Sequence, residues 1–137
     1  MYLSEAGKIA KTHLLEINKR FNCVLDEWVV MPNHVHLILI IDDGQRRNMI
    51  NHVPTGKSGI PNNPMELPYD TIGKMMRWYK GRVSYECRKA DFQFAWQARF
   101  HDHIIRDQRS LENIRRYIQN NPLRWKEDRF NTALFVY

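Results

Sequence analysis

The stretch that decides the fold runs Trp28-Val-Val-Met-Pro-Asn-His34-Val-His36-Leu-Ile-Leu-Ile-Ile41. Its β-branched and apolar residues predict one strand from Cys23 to Met31 and a second that runs to Ile41, with a turn at Pro32-Asn33 between them. Because side chains alternate along a strand, His34 and His36 are expected on one face. Two interpretations remain open from the residues alone: an ordinary half-buried strand, or a pair of metal-ligating nitrogens.

Other segments carry weaker signals for secondary structure. The second strand is apolar on both faces beyond His36, which favours a position inside a sheet. Three stretches have the period of an amphipathic helix. The first runs from about Ser4 to Arg20 with Ser4 as N-cap, the second follows a cap at Asp70 and carries the stripe Ile72, Met75, Met76, Tyr79 and Val83, and the third runs from about Gln108 to Asn121 after Asp107. Short strands are predicted at Phe92 to Phe94 and Phe100 to Ile105.

Composition limits the class of protein and of partner. The 137 residues predict a single domain over 1–137, in which the unpatterned segment at about 42–69 is expected to be a flexible loop. A net charge of +6 and a pI of about 9.5 indicate a polyanionic partner, with nucleic acid ahead of a membrane. Two distant cysteines and the lack of a long apolar run predict a cytoplasmic chain with no membrane partner.

Cations cluster on the second predicted helix and after it. They are candidates for contacts to a nucleic-acid backbone, which give affinity without sequence choice. The candidates are Lys74, Arg77, Lys80, Arg82, Arg99 and Arg106. Trp78 and Tyr85 lie among them, so the helix face is either a solvated surface or one that holds phosphates while its aromatic rings stack on bases.

The third predicted helix presents a tyrosine and an amide one turn apart. Tyr117 and Asn121 fall on the shoulder of its apolar stripe, where the tyrosine is either a core-margin residue or part of a site. Tyr79 is a rival nucleophile, although it falls inside an apolar stripe. His101 and His103 alternate as the first pair does, and they fit either a second ligand pair or an edge strand.

Three segments in this order resemble one family. They are Met-Pro-Asn-His-Val-His at 31–36, Trp-Gln-x-Arg-Phe-x-x-His-Ile-Ile-Arg-Asp at 96–107, and Ile-Arg-Arg-Tyr-Ile-x-Asn-Asn-Pro at 114–122. Together they look like the single-tyrosine HUH transposases, and within these the sequence is most similar to the REP-associated tyrosine transposases. The resemblance extends from Tyr2 to Trp125.

The resemblance implies a fold and a reaction. The fold would be α+β, a ferredoxin-like sandwich of an antiparallel sheet with helices on one face and an extra C-terminal helix that carries the tyrosine. The activity would be metal-dependent nicking and strand transfer of single-stranded or hairpin DNA through a 5′-phosphotyrosine. Matched position by position, Tyr117 would be the nucleophile, while His34, His36 and Asn121 would hold Mg²⁺ or Mn²⁺.

One departure from the family's pattern bears on activity. The resemblance implies a further N-terminal strand beside the histidine strand, and this sequence starts just after the place where it would lie. A truncated copy, another element or the second subunit of a homodimer would each account for that gap. The alternatives to the transposase-type reaction are therefore a catalytically inactive DNA-binding remnant and a metal-dependent hydrolase with no covalent intermediate.

Overall fold

The computed structural model describes residues 3–41, 71–96 and 101–127. Their elements are α1 (Glu5–Leu14), α2 (Ile17–Arg20), β1 (Cys23–Val30), β2 (Val35–Ile41), α3 (Ile72–Lys89), α4 (Gln108–Asn120) and a 3₁₀ helix (Asn121–Glu127). This is a small α+β fold. The predicted loop at 42–69 and Arg99 fall outside the described residues.

β1 and β2 form the predicted antiparallel hairpin. Met31 N–H donates to the carbonyl of His34 at 2.7 Å and closes the turn. The ladder is irregular between Leu25 and Trp28, where two residues of β1 oppose one of β2. This is a β-bulge, which redirects the side chains of its strand. Within the described residues β2 has only β1 as a neighbour, so the interior sheet position expected for it is not observed there.

The hydrophobic core lies between one face of this hairpin and the helices α1, α2 and α3. Leu14, Ile17, Met75, Val83 and Cys87 are completely buried in it. Alternate residues of β2 pack against the core from the sheet: Val35, Leu37, Leu39 and Ile41. The apolar stripe predicted on α3 is confirmed by its buried members Met75, Met76, Tyr79 and Val83. None of the helices in these segments is long and apolar enough to cross a bilayer.

The first predicted helix is interrupted. Ser4 is its N-cap, as predicted, and accepts a hydrogen bond from Gly7 N–H at 3.1 Å. At Glu16 the backbone N–H donates to the carbonyl of His13, three residues back, and the Glu16 carboxylate lies 2.8 Å from Nδ1 of His13. This local turn separates α1 from α2, so the continuous helix expected through to Arg20 is wrong.

The ends of α3 are fixed by two caps. Its N-cap is Thr71 rather than the predicted Asp70, because the Thr71 hydroxyl accepts from Lys74 N–H at 3.1 Å. At the C-terminal end, Phe92 N–H donates to the carbonyl of Cys87 at 2.8 Å, and Asp91 has φ of 60°. This is the Schellman arrangement, in which the left-handed residue is usually glycine.

Asp91→Gly is expected to increase the free energy of unfolding by about 0.5–1 kcal/mol, because glycine adopts positive φ without a steric penalty. Urea unfolding measures the change. Lys89→Gly lies two residues earlier in regular helix and is expected to have the opposite sign, by a similar amount. Equal destabilisation by both changes would contradict this account.

Residues after α3 do not form the predicted short strands. Residues 92–96 and 101–106 are irregular, and Phe100 lies outside the described residues. The Trp96 ring instead packs against α3: its Nε1–H donates to the carbonyl of Lys80 at 2.9 Å, and its centroid is 5.6 Å from that of Tyr79. Side-chain packing on a helix therefore replaces strand pairing in 92–96.

Candidate functional site

His34 and His36 lie side by side at the start of β2, as the strand alternation predicts. Their ring centroids are 4.6 Å apart. His34 is 4% exposed, and Nε2 of His36 lies below the surface. Nδ1 of His34 is 2.6 Å from Oδ1 of Asn33. Because an amide oxygen can only accept a hydrogen bond, Nδ1 carries a proton, which in a neutral imidazole leaves the lone pair on Nε2.

Tyr117 of α4 lies against this pair. Its ring centroid is 5.4 Å from that of His36, while about half of its surface remains exposed to solvent. Asn121, one turn later, is buried at the start of the 3₁₀ helix. Trp125 follows, with its ring centroid 6.5 Å from that of His34. The turn before β2, the start of β2, α4 and the 3₁₀ helix therefore bring two imidazoles, a phenol and an amide to the lining of one groove.

The position of α4 is fixed by the bulge in β1. Asp26 and Glu27 are consecutive, and in a regular strand their side chains would point to opposite faces. Here both reach α4. Arg115 donates two hydrogen bonds of 2.7 Å to the Asp26 carboxylate, and Gln119 donates one of 2.8 Å to Glu27. These bonds hold one flank of α4, and Tyr117 lies on its other flank.

The Arg115 hydrogen bonds hold the pKa of Asp26 below its usual range. An aspartate of this kind stabilises the fold at pH values above its unfolded pKa of about 3.9, and the stabilisation is lost as the pH falls through the lower folded pKa. We therefore expect Asp26→Asn to lower the melting temperature at neutral pH, and its difference from the unmodified protein to shrink below about pH 4.

Thermal melts from pH 7 to pH 2 measure this difference. Asp102→Asn removes an exposed carboxylate and is expected to leave the melting temperature nearly unchanged across the range. An Asp26→Asn difference that is the same at pH 7 and pH 2 would show that the carboxylate charge is not what holds α4.

The four site residues open into a large groove. Its volume is about 1670 Å³, and it lies between β2, α3, the segment 101–107 and α4. Its basic lining residues are Lys80, Arg106, Arg116 and Arg124, and its carboxylates are Asp102 and Asp107. Asp107 is occupied as the N-cap of α4 and accepts from Ser110 N–H at 2.8 Å. The balance of charge along the described lining is therefore positive and suits a phosphate-bearing ligand.

The sequence is 35% identical to that of a Haemophilus influenzae protein described as uncharacterized, over 136 residues that cover 93% of this chain and 71% of the relative. The chain belongs to the family of that protein. No protein-family profile matches the sequence, and no solved structure does.

In this member of the H. influenzae protein's family, the predicted cations fall on two surfaces. Lys80 and Arg106 line the groove, and burial lowers the pKa of Lys80. Arg77 and Arg82 line a separate shallow depression on the other side of α3. Lys74 is half-buried in the first turn of that helix. The five candidates that the structure describes therefore do not form one continuous surface.

The rival nucleophile, Tyr79, is a buried core residue. Its hydroxyl donates to the carbonyl of Ala10 at 3.1 Å, its ring is 2% exposed, and burial raises the pKa of its phenol. A phenol in this state is a poor nucleophile, because the charged form is disfavoured. Tyr79 joins α3 to α1 in the core.

Two features of the site are not indicated by the sequence patterns, and a third differs from its expected structure. Arg116 and Arg124 line the groove, although helix geometry directs Arg116 away from the tyrosine. The sequence predicts a turn at Asn33 but not its contact with His34, the next residue. His101 and His103 were expected to alternate along a strand, but both lie exposed in the irregular segment that borders the groove.

Proposed function

We propose that this protein nicks single-stranded DNA and transfers the cut strand through a covalent tyrosine intermediate. In this proposal Tyr117 is the nucleophile, and His34, His36 and Asn121 hold Mg²⁺ or Mn²⁺. The observation that carries the proposal is the half-exposed Tyr117 ring, 5.4 Å from His36 in a basic groove. The proposal includes the fold: the hairpin would be part of a ferredoxin-like sandwich.

The donor set fits a divalent cation. Metal-ligating histidines usually donate their second ring N–H to an oxygen, as His34 does to Asn33. Two imidazoles with one amide oxygen form a mixed nitrogen and oxygen set that leaves positions for phosphate and water. The chemistry that the cation supplies when bound is neutralisation and polarisation of the scissile phosphate.

The residues of the groove account for the remaining steps. Lys80, Arg106, Arg116 and Arg124 would bind the DNA backbone and orient the phosphate. The Tyr117 oxygen forms a bond to phosphorus, and the bond from phosphorus to the 3′ oxygen breaks. The phenol proton is released to water in the open groove, and the departing 3′ oxygen takes a proton from water. A 5′-phosphotyrosine and a 3′-hydroxyl result. One phosphodiester replaces another, so the 3′-hydroxyl can reverse the reaction without a nucleotide cofactor.

The test is a covalent-attachment assay. The full chain is incubated with labelled single-stranded hairpin oligonucleotides and Mn²⁺, with a parallel sample in EDTA, and both are run on a denaturing protein gel. A labelled band at protein mass that needs Mn²⁺ supports the proposal. Cleavage without attachment would indicate the hydrolase, and binding with neither would indicate the DNA-binding remnant.

A further inference from the structure

A second surface with chemistry for nucleic acid lies on α3, away from the groove. It is a shallow depression of about 360 Å³, lined by Arg77, Trp78, Gly81, Arg82 and Tyr85. At about 100° per residue, these positions lie roughly opposite the α3 residues that line the groove. The groove residues on α3 are Ile72, Met76, Tyr79 and Lys80. The helix therefore separates two ligand-accessible surfaces.

Gly81 has no role in the packing of the described molecule. A Cβ atom at this position would meet nothing within 4 Å. Glycine in the middle of an 18-residue helix is unfavourable relative to alanine. What the missing side chain provides is the space between Trp78 and Tyr85, one helical turn to either side. That space is open to solvent and suits a ligand from outside.

The lining groups are arranged for a planar, anionic ligand. Tyr85 is half-exposed, and the Arg82 guanidinium lies 5.6 Å from its ring centroid. The Phe21 ring packs edge-on against the Trp78 ring, with the two ring centroids 5.6 Å apart. The Arg20 guanidinium lies 5.3 Å from the Trp78 centroid. Aromatic rings stack on bases, and guanidinium groups bind phosphates.

The charge at this surface is positive. Arg20, Arg77 and Arg82 lie at or beside the depression. Among the described side chains around it, Glu86 is a carboxylate that pairs with Arg82 at 2.9 Å. The Arg82 side chain is 46% exposed and that of Glu86 is 22% exposed, so the pair lies at the surface, where an ion pair contributes little to stability and a phosphate can approach the guanidinium from solvent.

We propose that this depression binds an unpaired base, with its phosphate, from the single-stranded DNA whose scissile phosphate occupies the groove; the inference therefore rests on the proposed function. The base stacks between Trp78 and Tyr85 over Gly81, and Arg77 and Arg82 bind the phosphate. A helix is about 10–12 Å across, so a strand leaving the groove reaches the depression within a few nucleotides. The second contact holds the flanking strand and adds affinity without sequence choice.

Gly81→Leu tests the proposal, because leucine favours helix while its side chain fills the depression. We expect the variant to melt at a higher temperature and to bind a fluorescein-labelled thymidine oligonucleotide about 5- to 50-fold more weakly in EDTA. Gly73→Ala is the matched control. It changes a glycine of the same helix, outside the depression, where a Cβ lies at an ordinary 3.9 Å from the Thr71 hydroxyl. It is expected to leave the affinity unchanged.

Photocrosslinking separates this inference from the proposed activity. Oligonucleotides that contain halogenated uracil, crosslinked in EDTA and mapped by mass spectrometry, are expected to label the peptide that carries Trp78 and Tyr85. Labelling there without a Tyr117 adduct in Mn²⁺ would support base binding in the depression and refute the covalent reaction of Tyr117. An adduct on Tyr117, with equal affinity in Gly81→Leu and no label on α3, would overturn the inference and leave the nuclease standing.

Discussion

Tyr117→Phe is expected to abolish the covalent attachment of DNA and to lower strand cleavage by a factor on the order of 10⁴ or more. Phenylalanine keeps the ring beside His36, 5.4 Å away by centroid, but lacks the oxygen that attacks phosphorus. Because the hydroxyl is on a half-exposed side chain, its removal is expected to leave the fold intact. The assay is single-turnover cleavage of a labelled hairpin oligonucleotide in Mn²⁺, with oligonucleotide binding measured separately in EDTA.

Tyr79→Phe is the matched control. It removes a hydroxyl that donates to Ala10 in the core, so we expect a loss of stability of about 1 kcal/mol with attachment retained. Loss of the adduct in Tyr79→Phe, with full activity in Tyr117→Phe, would exchange the roles of the two residues. If both variants cleave the oligonucleotide as fast as the unmodified protein, neither tyrosine is the nucleophile and the covalent intermediate is refuted.

Local sequence signals predicted the elements that carry the site. The hairpin, the cap at Ser4, the start of α4 after Asp107 and the buried stripe of α3 each depend on residues within a few positions of one another. The proximity of His34 and His36 follows from the strand alternation in the same way. The break at Glu16 was missed because neither glycine nor proline marks it.

The assembly of the site could not be predicted from residues that are close together in the sequence. Tyr117 reaches His36 because Arg115 and Gln119 bind Asp26 and Glu27, which are about ninety positions away in the sequence. Those bonds depend on the bulge between Leu25 and Trp28, and no glycine in the sequence marks its position. Likewise, a helical wheel gives the angles between the cations on α3, but it does not show which face of the helix lines the groove. Packing of Met75 and Val83 into the core sets that rotation.

Asn33→Ala is expected to weaken Mn²⁺ binding about 10- to 100-fold, with the three proposed ligands unchanged. Oδ1 of Asn33 accepts from Nδ1–H of His34 at 2.6 Å, and both residues are buried. Alanine leaves this N–H without its acceptor, so the ring can rotate and can carry its proton on the nitrogen that would bind the cation. Titration calorimetry of Mn²⁺ with the full chain measures the affinity.

Asn33→Asp keeps an acceptor of nearly the same shape and is expected to retain Mn²⁺ affinity within a few-fold. Cleavage separates a role in metal binding from a general loss of structure. If Asn33 orients His34, the Asn33→Ala protein recovers most of its cleavage rate at saturating Mn²⁺, because only affinity has changed. A cleavage rate that stays low at every Mn²⁺ concentration, or an affinity equal to that of the unmodified protein, would contradict the orienting role. The first result would mean that Asn33 supports the turn itself, and the second would mean that His34 needs no partner to bind the cation.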